Sequence, residues 1–73
     1  MKERKVNQKY EIVTKSGRQF LVDHYKVNNY YSCDIYRLNP DQVWSWYQSF
    51  NRDTKEQLFQ SIDGTINYIK GLY

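Results

Sequence analysis

The chain has 73 residues, a formal charge of +3, and 40% hydrophobic residues, eight of which are tyrosines. Such a length allows one small domain, near the lower limit at which a core holds without disulfides, metals or a partner, and excludes a catalytic domain joined to a substrate domain. No stretch approaches the ~18 apolar residues of a membrane span, and the single cysteine, Cys33, excludes an internal disulfide or a cysteine-cluster metal site.

The charge is uneven. Lys2, Arg4, Lys5 and Lys9 stand against Glu3 alone, whereas seven bases and seven acids follow from Tyr10 onward. Residues 1–9 therefore read as a flexible basic tail and residues 10–73 as a single α+β domain, neutral on balance. A charged start with no apolar stretch behind it does not read as a secretory signal, so a cytoplasmic protein is expected. Alanine is absent while lysine, tyrosine and asparagine abound. That bias fits AT-rich codons and suggests a phage or mobile element of a low-GC bacterium as the source.

From Lys9 to Leu38, β-branched and aromatic residues are interrupted by two turn-forming pairs, Ser16-Gly17 and Asn28-Asn29. Three strands are predicted, near 10–15, 18–27 and 30–38, joined as an antiparallel meander. A two-residue first turn sets Val13 opposite Phe20. The same rule at Asn28-Asn29 sets Asp23 opposite Asp34, an unfavourable like-charge pair, so a three-residue turn with His24 facing Asp34 is preferred. In either register, large apolar residues fall on both sheet faces.

Leu38-Asn39-Pro40-Asp41-Gln42-Val43 carries the cues of a helix start: an Asn cap, Pro at the first position, an acid at the positive dipole end, and Leu38 and Val43 spaced as a staple. A first helix from Pro40 to about Phe50 is predicted. Thr54 and Gln57 then form a second capping box, and Leu58, Ile62, Ile66, Ile69 and Tyr73 make an amphipathic face; because Gly64 lies inside it, the alternative is a boundary near Ser61 with a short strand or turn from Gln57 to Gln60. The expected architecture is a three-stranded β-meander followed by two α-helices packed on one sheet face, in the order βββαα.

Little in the chain points to chemistry. His24 and Cys33 on adjacent strands could start a nucleophilic site, but no third orienting residue or oxyanion turn accompanies them, and a strand cysteine is ordinarily a small core residue. Asp23, Asp34 and His24 lack the clustered spacing of metal ligands and read as a solvated face. Gly17, Gly64 and Gly71 are isolated, without a phosphate-binding loop. No enzyme activity, cofactor or metal is expected.

The aromatic residues stand out. Large rings fill small cores, which accounts for about half of them. On a helix, Trp44 and Trp46 point about 200° apart, so at least one should be partly exposed. Trp44, Trp46, Tyr30, Tyr31 and Arg37 are therefore the candidate partner-binding residues, with the composition of interface hot spots. The expected function is a small regulator or inhibitor that docks on a protein partner. The alternative is a nucleic-acid-binding module, DNA among its targets, using Lys2, Arg4, Lys5 and Lys9 with a sheet face. A homodimer is the third possibility, because so much apolar surface calls for a cover.

Overall fold

The structure, a computed structural model, describes the backbone of residues 4–73 and the side chains from Lys9 onward. Among these residues, β1 (Arg4–Val13), β2 (Gln19–Val27), β3 (Tyr30–Leu38) and β4 (Trp44–Arg52) form one antiparallel sheet in chain order, followed by α1 (Lys55–Leu72). The fold is ββββα. This corrects the expected three strands and two helices: the segment predicted as the first helix is a strand. Residues 4–9, read as the tail, form the first part of β1, and Lys2 lies outside the described residues.

The cues at Asn39-Pro40-Asp41 were ambiguous because a helix start and a tight turn draw on the same residues. Here they build a turn. Gln42 N–H donates to the Asn39 carbonyl and Asn39 N–H to the Val43 carbonyl, both at 2.9 Å, while Val43 N–H donates to Asp41 Oδ1 at 3.2 Å. The sequence Trp-Ser-Trp-Tyr-Gln-Ser-Phe that follows has few strong helix formers, and its aromatic rings suit a pleated surface.

The first hairpin has the same loop. Gly17 N–H donates to the Thr14 carbonyl and Thr14 N–H to the Arg18 carbonyl, again at 2.9 Å. In both loops the third residue is left-handed, Gly17 at φ 88° and Gln42 at φ 69°. A three-residue loop ending in a left-handed residue is a standard hairpin connection. Its extra residue moves the first register by one from the expected pairing: Ile12, not Val13, lies opposite Phe20. Ile12 thus joins the core and Val13 faces solvent.

The second hairpin corrects the preference for a longer turn. Val27 pairs with Tyr30 across Asn28-Asn29, Asn28 being left-handed at φ 52°, and Asp23 does lie opposite Asp34. The pair is tolerable because of the strands outside it. Lys9 is the β1 partner of Asp23, Ser49 is the β4 partner of Asp34, and two hydroxyls donate to the Asp34 carboxylate.

α1 begins with the capping box read from the sequence. Gln57 N–H donates to Thr54 Oγ1 at 3.1 Å and Thr54 N–H to Gln57 Oε1 at 3.3 Å. Gly64 does not break the helix. Its apolar stripe of Leu58, Ile62 and Ile69 packs on Ile12, Phe20, Val22, Cys33 and Ile35, with Tyr31, Tyr47, Phe50, Ile66 and Tyr73 at the margin. Phe20 anchors one end, 5.2 Å from the Tyr47 ring centre and 5.8 Å from that of Tyr73. Ser16 N–H donates to the Tyr73 carbonyl at 3.1 Å, tying the end of the helix to the first turn. No helix among the described residues is long and apolar enough to cross a membrane.

Candidate functional site: the helix-free sheet face

One helix covers one face of the sheet. The opposite face presents the alternate residues: Leu21, Tyr25, Tyr36 and Trp46, with Tyr30, Leu38 and Trp44 towards its ends. A register shift between Ile35 and Tyr36 on the β3–β4 ladder sets Trp46 opposite Tyr36 and Trp44 opposite Leu38. Without that bulge, the two tryptophans would face the helix side.

A chain of hydrogen bonds organises the centre of this face. Trp46 Nε1–H donates to Ser49 Oγ at 2.6 Å, Ser49 Oγ–H donates to Asp34 Oδ1 at 2.7 Å, and the Tyr25 hydroxyl donates to Asp34 Oδ2 at 2.9 Å. Ser32 Oγ–H donates to Asn51 Oδ1 at 2.6 Å alongside. Each Asp34 oxygen accepts one hydroxyl and keeps capacity for another donor. Trp46 is 64% exposed, yet its indole N–H is tethered at the ring edge to Ser49. Asp34 is the charged side chain on the strand beside it, and across the rest of the face those described are Lys9 and Glu11 on β1 and Asp23 on β2. Among the described side chains, the face is aromatic and acidic.

The sequence-derived partner residues divide between the two faces. Trp44, Trp46 and Tyr30 share the helix-free face. Tyr31 and Arg37 alternate to the helix side, where Tyr31 packs at the core margin and Arg37 lines an open cleft between the turns with Arg18 and Asn39. The exposure expected of a tryptophan is found at Trp46, but strand geometry produces it and helix geometry does not. Of the four bases proposed for nucleic acid, Lys9 is exposed beside Asp23, Arg4 and Lys5 are described by their backbone in β1, and Lys2 falls outside the described residues.

His24 and Cys33 are cross-strand partners on the helix side. Burial, helped by the carboxylates of Asp34 and Asp23, pushes the Cys33 thiol up to about 12, the opposite of an activated nucleophile. Burial also lowers the pKa of His24, an effect opposed by Asp23 and assisted by Lys55. His24 points away from the face that holds Asp23 and Asp34, and no group of three His, Cys, Asp or Glu residues among those described could hold a metal ion.

Tyr25, Asp34, Tyr36 and Ser49 are not among the partner-binding residues named from the sequence, where Asp34 enters only as a metal ligand that is set aside. The period-2 alternation around Asp34 was a usable signal, but it could be read only once the second turn was fixed at two residues. Comparisons with protein-family models, curated proteins and solved structures find no match to this chain.

Proposed function

We propose that the chain is a small non-enzymatic binding protein that docks on a protein partner through its helix-free face and acts as a regulator or inhibitor by occupying that partner's surface. The observation that carries this reading is Trp46, exposed to solvent yet held by the hydrogen-bonded path through Ser49 to Asp34. A large ring fixed before contact loses little freedom on binding, which favours it as an anchor. The surrounding charge favours a basic segment of the partner, with an Arg or Lys side chain stacked on the Trp46 ring and its head group at Asp34. A cytoplasmic location belongs to the same proposal.

The acidic centre weighs against the nucleic-acid reading, since phosphates approaching Tyr36 and Trp46 would meet Asp34, with Glu11 farther across the sheet. It also weighs against self-association through this face, which would bring like charges together.

Affinity capture from bacterial lysate with wild-type, Trp46→Ala and Asp34→Asn baits tests the reading. A protein retained by wild type should bind Trp46→Ala more weakly by ~2 kcal/mol or more, with an unchanged melting temperature. Asp34→Asn should weaken it with less dependence on salt. Equal binding by all three baits would refute the site, and sub-micromolar binding of single-stranded DNA at physiological salt would reverse the choice of partner. Light scattering should show a monomer.

A further inference from the structure

On its other face the sheet is not fully covered. α1 lies nearest β3 and β4, so where the helix begins, the second half of β2 is left partly open. A cavity of about 370 Å³ forms there between the strands and the first turns of α1, lined by His24, Lys26, Tyr31, Lys55, Leu58 and Phe59. Its volume is within the range of small-molecule sites, and its lining is mostly apolar.

The charged groups described in this lining, Lys26 and Lys55, share one sign. Lys26 Nζ lies 5.3 Å from the centre of the Tyr31 ring and Lys55 Nζ 5.7 Å from that of Phe59, so each ammonium is held over an aromatic wall. Phe59 also meets His24 edge-on, with ring centres 5.5 Å apart at 83°, and Tyr10 contacts the same imidazole at 6.2 Å. Leu58 is almost wholly buried. Among the described residues, no carboxylate side chain lines the cavity. The combination of flat apolar walls with two cations and, among the described residues, no anion selects a ligand that is apolar over its body and negative at one end.

We propose that this cavity binds a small aromatic anion, its ring against Phe59 and Tyr31 and its carboxylate or phosphate between Lys26 and Lys55. The site is separate from the helix-free face and does not depend on how that face is used.

The test is an NMR titration of the full chain, following backbone amides, with benzoate and phenyl phosphate as probes and benzylamine and inorganic phosphate as controls. At least one probe should shift the amides of His24, Lys26, Tyr31, Lys55 and Phe59 in a saturable way, with a Kd of about 1 mM or tighter. The tighter of the two names the head group. The double variant Lys26→Gln/Lys55→Gln, whose spectrum elsewhere should match wild type, should bind at least tenfold more weakly, whereas Trp46→Ala should bind as wild type does. No saturable shift with either probe, an equal response to benzylamine or to inorganic phosphate, or an unweakened double variant would each overturn the assignment.

Discussion

The two faces of this sheet are made from alternate residues of the same strands, yet they are held together in different ways. On the helix side, Phe20, Val22, Cys33 and Ile35 are fully buried, and contact with Leu58, Ile62 and Ile69 keeps them in place. On the other side, Leu21, Tyr36 and Trp46 have no helix above them, and order comes from polar bonds converging on Asp34. Both faces contain large apolar side chains. What makes one of them a core is the single helix, and what lets the other stay in water is a carboxylate that few cores would accept.

That contrast can be broken by exchanging large rings for alanine. Phe20→Ala should cost ~3–5 kcal/mol in urea or thermal unfolding, since the hole lies in the packed layer between Tyr47 and Tyr73. Trp46→Ala should stay within ~0.5 kcal/mol of wild type. If the two costs were alike, the helix-free face would be structural and its reading as a docking surface would fail.

Cys33 sharpens the comparison from the buried side. With its thiol pushed up to about 12 and its side chain buried, alkylation at pH 8 should proceed at the rate of unfolding, slowed in native buffer and accelerated by urea. Fast labelling in native buffer would show that this layer opens without unfolding. Cys33→Ser should cost ~1–3 kcal/mol, the hydroxyl being left among apolar groups.

A pH dependence follows from His24. Its pKa in the folded chain is lowered, so the unfolded state takes up the proton more readily. The stabilising contribution is therefore complete above the ordinary histidine value of about 6.5 and is lost as pH falls below it towards the lower folded value. His24→Gln should flatten the melting temperature across that window, and an unaltered pH profile would place the loss elsewhere.

The smallest effect compares the twin loops. Gln42 occupies the left-handed position that Gly17 fills in the other hairpin. Gln42→Gly should raise stability by ~0.5 kcal/mol, because glycine adopts this backbone without its Cβ penalty, and Gly17→Ala should lower it by ~1 kcal/mol. Thermal melts of the two variants would resolve both signs.

The legibility of the fold in the sequence follows the same division. The C-terminal helix could be read, since Thr54, Gln57 and the stripe from Leu58 to Ile69 are local signals that tertiary packing supports. β4 could not, because Asn39, Pro40 and Asp41 serve a helix cap and a tight turn equally, and the choice rests on whether Trp44 to Phe50 finds β3 beside it. The register around Asp34 failed for a related reason. The repulsion from Asp23 is real, but its remedy lies on β1 and β4, outside the hairpin being judged. Trp44, Trp46 and Tyr30 could be named from composition, whereas the carboxylate that organises their surface emerged only with the pairing.

The sheet order has a kinetic consequence. Because every strand pairs with its neighbour in sequence, each ladder can zip from its own turn after closing a loop of two or three residues, which takes microseconds in hairpins. The helix has no such shortcut, for its last turn must find Phe20 and the backbone at Ser16, more than fifty residues away. Contacts of that separation dominate folding times. Docking the last turn of α1 is then the step that closes the longest loop. Until it occurs, the sheet presents two unshielded apolar surfaces at once, and that interval is when the nascent domain is most open to aggregation.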